Sequence, residues 1–370
     1  MKYTFAGVPL LLAAALCSQL SAATYRVHLL NQTSQLGAGW GVYGNATIGS
    51  LYSSYNEATI WPSPAASPIS LHPAGFALSF ASDIHGNSQV GYGQLAGGER
   101  HAFLWHGTAQ SAVDLHPLGY SYSDANGVDE SSQVGAGVPT DGSAPYHALL
   151  WRGTAESVVD LHVPVYSETY ACDGEGGGQT GWGIVRPSES QFVEHALLWK
   201  GTADSVVDLH PDGFARTRAN GGGATSQVGY GSTSSDPPQS NALLWHGSAN
   251  SVVNLHPPGF AYTQAEATAG EWQVGSGGVG NGLHARALAW RGSADSVVDL
   301  HSILEQQTRP NFLFSLATDV DELGNIAGWG FTTDGYSFAI RWSLVPEPTS
   351  VGMVGLALLS IVLQSRRRTN

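Results

Sequence analysis

The stretch HAFLWHGTAQSAVDLHPLGY, residues 101–120, decides the fold because the chain repeats it. It returns as HALLWRGTAESVVDLHVPVY at 147–166 and as HALLWKGTADSVVDLHPDGF at 195–214. Its tryptophan recurs at spacings of 44, 46, 48, 46, 45 and 52 residues, as Trp61, Trp105, Trp151, Trp199, Trp245, Trp290 and Trp342. A fixed period of this length is typical of solenoids, propellers and other repeat arrays.

Each unit offers four short strand candidates and no helical segment. In the second unit the candidates are 77–84, 89–92, 102–105 and 112–115, separated by turns rich in Gly, Asn and Glu. Four strands in each of seven units predict an all-β, seven-bladed β-propeller. The glycine-rich mark of each unit, SQVGYG at 88–93 and SQLGAG at 34–39 in the first, is expected on inner strands near a central channel.

The closure of the ring is left open by the sequence. Residues 25–30 align as the first strand of the first blade, which leaves the last blade either with 343–345 as a poor fourth strand or incomplete. Alternatively, 25–30 joins the last blade as a ring-closing strand. A six-bladed ring with one outlying unit is the third arrangement.

The N-terminus predicts a signal helix that is removed. Residues 1–23 have a basic start at Lys2, an apolar run over 8–16 and small residues before a cut after Ala23. This pattern is typical of a secretory signal peptide, and a buried N-terminal helix is the alternative. Cys17 follows Leu16, whereas lipoprotein signals resemble one another in having Gly or Ala there, so no lipid anchor is predicted.

The C-terminus predicts a short transmembrane helix. An apolar run of 13 residues, 351–363, lies between the sequence Val345-Pro346-Glu347-Pro348 and the cluster Arg366-Arg367-Arg368. The run reaches a marginal span only if the arginines snorkel, and they would then stay cytoplasmic. We therefore divide the chain into a signal peptide (1–23), a propeller (24–344) and a C-terminal segment (345–370).

Two parts of the sequence resemble known bacterial families. The C-terminal segment resembles the PEP-CTERM sorting signal, which implies processing by an exosortase and delivery to the cell surface or extracellular matrix; a plain membrane anchor is the alternative. HAFLW and its ALLW relatives resemble the HAF repeats of extracellular proteins, over residues 25–342. That second resemblance implies a location and a fold rather than a chemistry.

The recurring Asp-Leu-His is interpreted as a structural part of the blade. A carboxylate and an imidazole two residues apart share one face of a strand, as some metal and acid–base sites require. Equivalent residues of different blades, however, lie too far apart to share one metal ion. We predict no catalytic, metal or cofactor site from this motif, which occurs at Asp114/His116, Asp160/His162, Asp208/His210 and Asp299/His301. Cys172, alone once Cys17 is removed, is predicted to be inert.

The net charge and the aromatic residues limit the functions that the sequence allows. The net charge is −14, or −18 without the four basic residues of the two ends (−14 − 4), which excludes nucleic acid as a partner. Four tryptophans outside the repeat, Trp40, Trp182, Trp272 and Trp329, are candidates for stacking on an extracellular polysaccharide, and packing between blades is the alternative. We therefore predict a non-enzymatic surface or matrix propeller. The alternative is a secreted polysaccharide hydrolase or lyase that uses Asp129, Glu130, Asp173 and Glu175 in the channel.

Overall fold

Seven four-stranded antiparallel sheets make up the protein. The computed structural model describes residues 24–345 except 33–34, 53–54, 144, 189–190, 234–238, 281–283 and 310. Inner strands of successive sheets contact one another, and the last contacts the first, so the sheets form a closed circle. The predicted seven-bladed β-propeller with four-stranded blades is confirmed.

In blades 1 to 6 the strands run outward from the channel in chain order, whereas in blade 7 the outermost strand is the first strand of the chain. Blades 1 to 3 are β2 to β5 (Leu36–Tyr43, Ala46–Tyr52, Asn56–Trp61, Ile69–Ser70), β6 to β9 (Leu78–His85, Ser88–Gln94, Arg100–Trp105, Val113–Asp114) and β10 to β13 (Tyr120–Val128, Gln133–Pro139, His147–Trp151, Val159–Asp160). Blades 4 to 6 are β14 to β17 (Glu168–Glu175, Gly178–Ser188, Gln191–Trp199, Val207–Asp208), β18 to β21 (Arg216–Gly222, Gln227–Ser232, Asn241–Trp245, Val253–Asn254) and β22 to β25 (Phe260–Ala269, Trp272–Val279, Ala285–Trp290, Val298–Asp299). Blade 7 contains β26 to β28 (Phe312–Val320, Ile326–Thr332, Ser337–Leu344) and β1 (Tyr25–Leu29).

The N-terminal strand closes the circle. β1 pairs with β28 as the outermost strand of blade 7, with Tyr25 opposite Leu344 and Leu29 opposite Ile340. The Val345 amide also donates to the Thr24 carbonyl at 2.8 Å. The last blade is therefore complete, and residues 25–29 do not belong to blade 1.

The glycine-rich marks form second strands rather than the innermost ones. Gly91 of β7 lies opposite Ala81 of β6, and a side chain on Gly91 would collide with the carbonyl group of Phe80. Glycine is thus required here because the backbone of the inner strand lies so close, and not because of crowding at the channel. In blade 1 the corresponding segment is β3, and SQLGAG at 34–39 overlaps the inner strand β2 instead.

The repeated tryptophans fill the spaces between blades. All seven are at most 1% exposed. Trp151 of blade 3, for example, shares a core with Ala102, Leu104 and Leu115 of blade 2. Burying such a large apolar ring is a main contribution to holding adjacent sheets together.

The repeated histidines also connect neighbouring blades. His116 Nδ1 contacts the Ser123 hydroxyl of the next inner strand at 2.8 Å, and Ser123 accepts the Ala102 amide at 3.0 Å. Asp114 accepts the His116 amide and contacts His101 Nδ1 at 2.8 Å. The same imidazole–hydroxyl contact recurs in the other blades, as His72–Ser79, His162–Thr169, His210–Thr217, His256–Thr263 and His301–Ser315.

One short α-helix, α1 (Leu300–Gln307), leads into blade 7. Within the ranges that the structure describes, no helix is long and apolar enough to cross a membrane. The predicted signal helix, its cleavage at Ala23, the transmembrane run and the sorting residues Pro346, Glu347, Pro348, Arg366, Arg367 and Arg368 lie outside the described residues.

Candidate functional site

A β-bulge in each inner strand lines the central channel. Near its middle, every inner strand shifts by one residue against the second strand, and a residue without a partner is left at the shift. We call these the bulge residues; all are half-buried and they differ in chemistry from blade to blade: Trp40, Ser82, Asn126, Cys172, Asn220, Glu266 and Thr318.

Some bulge residues hold the next blade in place. The side chains of Asn126, Asn220 and Thr318 each donate to a carbonyl of the following inner strand, at 3.1 Å in all three cases. The donor groups of these three side chains therefore connect adjacent inner strands.

The channel has an acidic end beyond the bulge residues. Asp83, Asp173 and Asp319 each follow a bulge residue, and each accepts an amide of its own strand and one of the next blade, the latter at 2.7–2.8 Å. Burial, and then the proximity of Asp173, raises the pKa of Asp83 to about 7. The adjoining cavity of about 400 Å³ is also lined by Glu130 and Glu175.

Asp83, Asp173 and Asp319 thus use their carboxylates to hold backbone amides of two blades. Among the described residues, no group of three or more His, Cys, Asp or Glu side chains is arranged to hold a metal ion. Asp129, a candidate from the sequence, accepts the amides of Ser131 and Ser132 at 2.8 and 2.7 Å and so stabilises a turn.

The opposite end of the channel opens into two adjoining cavities. The larger, about 690 Å³, is lined by aromatic rings, small polar groups and the bulge residue Glu266; we call it the aromatic cleft. Its rings are Trp40, Phe80, Tyr92 and Tyr262. The second cavity, about 480 Å³ and mainly apolar, is the apolar groove, lined by Leu36, Ala38, Trp40, Tyr52, Phe314, Trp329, Phe331 and Ser337.

Two of the four predicted stacking tryptophans meet at these cavities. Trp40 lines both, and its ring lies 6.4 Å from that of Trp329. Trp182 is stacked on Tyr170 at 4.0 Å on one side and covered by Arg218 at 3.9 Å, so the neighbours occupy its faces.

Trp272, like Trp182, lies apart from Trp40 and Trp329. It is 3% exposed and packs between Tyr25 and Arg291, with 6.3 Å between ring centroids and 3.8 Å from the guanidinium to the ring. Its ring faces are therefore taken up by the protein itself.

Glu266 differs electrostatically from the carboxylates around it. Asn220 donates to its Oε2 at 3.0 Å, and burial raises the pKa of Glu266 to about 7. Three other carboxylates near the same inner strands have arginine partners: Asp124 with Arg100 at 3.8 Å, Glu168 with Arg186 at 3.5 Å, and Glu194 with Arg218. Within the described ranges, Glu266 has no Lys, Arg or His partner within ion-pair distance.

Neither of two candidate nucleophiles, Cys172 and Ser123, is suited to attack a substrate. Burial raises the pKa of the Cys172 thiol to about 12, so the thiol stays protonated at neutral pH. Ser123 contacts an imidazole but is 0% exposed, so this pair serves the connection between blades.

The bulge residues were not predicted as a set from the sequence. In six units they directly follow the alanine of the first strand, as in Ala81-Ser82 and Ala265-Glu266, and in the first unit the preceding residue is Gly39. A variable position beside a nearly constant one in every unit is the signal that identifies them.

Comparisons with known proteins relate the chain to the propellers of peptidases. The β-propeller domain of the Trilobed protease from Pyrococcus furiosus matches with a TM-score of 0.56 and 10% identity over 87% of this chain and 94% of its own. The acylaminoacyl peptidase of Pyrococcus horikoshii gives 0.58 and 10%, covering 89% and 56% of the two chains. A puromycin-hydrolysing peptidase of Mycobacterium tuberculosis gives 0.50 and 13%, covering 89% and 52%. No family model and no curated protein matches the sequence.

These matches correct the functional prediction. The propellers reported above belong to peptidases, and this finding contradicts both the prediction of a non-enzymatic binding or scaffold propeller and the prediction that the chain is not an enzyme. The chain spans about half the length of the two whole peptidases. At 10–13% identity the likeness shows the fold alone.

Proposed function

We propose that this chain is a propeller of the peptidase type, which binds polypeptide at the mouth of its channel and presents it for hydrolysis. The observation that carries the proposal is the meeting of the aromatic cleft and the apolar groove at Trp40.

The apolar groove suits a bulky apolar side chain. Its walls are the rings of Trp40, Phe314, Trp329 and Phe331, and ligand pockets of 300–1,000 Å³ with such walls bury apolar groups well. A sugar would stack on one ring but would leave its hydroxyl groups opposite apolar walls, which costs hydrogen bonds.

The aromatic cleft suits the polar backbone beside that side chain. Asn220, Gln264, Ser276 and Thr318 line it together with the rings. An extended polypeptide places apolar side chains and amide groups side by side, which matches two adjoining cavities of these two characters. The pair of cavities therefore favours polypeptide over polysaccharide, and glycan stacking by Trp40 and Trp329 stays a prediction from the sequence.

A binding experiment tests this proposal. The purified full chain is titrated by isothermal calorimetry with a set of short peptides that carry one aromatic residue, and with oligosaccharides of equal length. We expect micromolar or tighter binding for some of the peptides. Trp40→Ala should weaken it about tenfold or more, since buried aromatic anchors dominate such contacts. Tyr43→Ala, at the acidic end, is the matched aromatic control and should bind as the wild type does.

The opposite pattern would reject the proposal. Oligosaccharides that bind where all peptides fail, or peptides whose affinity is the same in Trp40→Ala, would show that the two cavities do not form a polypeptide site.

We also propose that the chain is exported and sorted through its C-terminal segment by an exosortase. The two segments that would be removed, 1–23 and the residues after Val345, are joined to the propeller at the paired residues Thr24 and Val345, on the outer edge of blade 7. Cleavage at either position would leave every strand intact.

Mass spectrometry of the protein isolated from its host tests the sorting proposal. We expect a surface or matrix form that begins at Thr24 and ends near Pro346–Pro348, and a Glu347→Ala variant that remains in the membrane fraction. A mature form that retains both ends would contradict the proposal.

A further inference from the structure

We infer that the aromatic cleft binds a protonated amino group, with the Glu266 carboxylate as its anionic partner. For a peptide, this group is the N-terminal ammonium. The inference rests on the proposed polypeptide binding and specifies the part of the substrate that the cleft recognises.

Geometry places Glu266 as a fixed acceptor inside the cleft. As a bulge residue of blade 6 it lines the same 690 Å³ cavity as Trp40, Phe80 and Tyr262. Asn220 donates to its Oε2 at 3.0 Å and so orients the carboxylate. A carboxylate that shares a cavity with aromatic rings can bind an ammonium group by a charged hydrogen bond, and the rings can add cation–π attraction.

The rings of this face already bind cations of the protein itself. The Arg100 guanidinium lies 3.9 Å from the centroid of Tyr92, and Arg218 lies 3.9 Å from that of Trp182. Both arginines are also paired with carboxylates, Asp124 and Glu194. Near the mouth of the channel, two arginines thus each contact both an aromatic ring and a carboxylate. At Glu266 the cavity supplies aromatic rings and a carboxylate, but no described residue supplies the cation.

The charge of Glu266 provides the driving force. Burying a carboxylate removes its hydration, which costs free energy unless a cation pairs with it. A ligand ammonium would provide this ion pair. Consistent with this, burial raises the pKa of Glu266 to about 7. The titratable groups that face it, Cys172 and Tyr230, have raised pKa values and stay neutral near pH 7, so they do not compete for the ligand's charge.

The first test compares matched ligands on the unmodified full chain. Phenethylamine and 2-phenylethanol share a ring and a chain length and differ in charge, and one aromatic peptide is used with a free and with an acetylated N-terminus. By calorimetry at pH 8, the amine of each pair should bind roughly tenfold more tightly or better, the usual effect of one charge-assisted hydrogen bond. Equal affinities within both pairs would overturn the inference.

The second test assigns the effect to Glu266. Glu266→Gln keeps the size of the side chain and removes the charge, so the preference for the amine should vanish. The matched control Glu305→Gln makes the same change on α1, far from the cleft, and should retain the preference. Amine affinity in the wild type should also rise from pH 6 to pH 8 as Glu266 ionises, and this rise should be absent in Glu266→Gln. A preference that survives in Glu266→Gln would overturn the assignment.

The same measurements separate the two proposals. If free and acetylated peptides bind equally well, the amine site is rejected and polypeptide binding stands. If phenethylamine binds through Glu266 but no peptide binds, the amine site is supported and the proposed function is rejected.

Discussion

Replacing Gly127 by alanine tests how closely the inner strands are packed around the channel. Gly127 follows the bulge residue Asn126 in blade 3, and the next inner strand crosses directly beside it. A Cβ atom at Gly127 would lie 2.7 Å from the Cα of Asp173 and 2.9 Å from one oxygen of its carboxylate. Asp173 in turn accepts the Gly222 amide of blade 5 at 2.7 Å, so this strand cannot move alone.

The size of the effect follows from these distances. An ordinary contact begins at 3.4 Å, so the backbone of blade 4 would have to move by about 0.7 Å at Asp173. Introducing a carbon atom into such a tight place costs about 1–3 kcal/mol. For a domain of this size, the cost corresponds to a fall in melting temperature on the order of 2–5 °C.

Thermal melts followed by circular dichroism measure the difference. The matched control is Gly97→Ala, in a turn of blade 2 where an added Cβ would meet no atom within 4 Å and where φ is not positive. We expect Gly97→Ala to stay within about 0.5 kcal/mol of the wild type. If Gly127→Ala melts at the same temperature as Gly97→Ala, the inner strands are not closely packed and this account of the channel is wrong.

Three further predictions concern the connections between blades. His116→Ala should lower the free energy of unfolding by about 1–3 kcal/mol in urea titrations, because the Ser123 hydroxyl loses its imidazole, and it should leave ligand affinity unchanged; a stable variant that no longer binds would contradict the structural role. In Asp83→Asn, stability should depend less on pH between about 4 and 7, because a carboxyl group whose pKa is raised from 3.8 to about 7 in the folded state contributes stability at low pH that is lost progressively as pH rises across that interval; equal slopes in urea titrations of both proteins would contradict this. A chain without residues 24–30 should aggregate or melt more than 10 °C lower, because β28 becomes an open edge, and a peptide of residues 24–30 should restore it in part; an unchanged melting curve would show that β1 is dispensable.

The blade number and the core were predictable because they depend on residues that recur. A buried tryptophan every 44 to 52 residues predicts seven equivalent sheets, and the repeated Asp-Leu-His predicts a part that every blade needs. The structure confirms the sheets and places the histidines between them.

The position of β1 was not predictable, because its side chains fit either blade. The position of β1 is decided by its pairing with β28, in which Tyr25 lies opposite Leu344. No local sequence pattern predicts a contact between residues so far apart in the chain. The glycine-rich strands were placed too far inward for a similar reason: Gly91 is explained by the backbone of Phe80, which only the register reveals.

Trp40 and Trp329 of the candidate site were named from the sequence because they lie outside the repeated tryptophan position, whereas Glu266 was not. Conspicuous residues such as Trp105 and His116 recur and are structural, whereas Glu266 and Trp40 occupy a position that changes from unit to unit. Their orientation depends on a one-residue register shift, which the sequence of a strand does not display.

The pairing of Tyr25 with Leu344 has a consequence for biosynthesis. A nascent chain cannot close its circle until β28 has been synthesised, and until then β1 has no partner strand. Contacts between such distant residues form slowly. For a chain exported as proposed, this order of events leaves time for transport in an unfolded state before the circle closes.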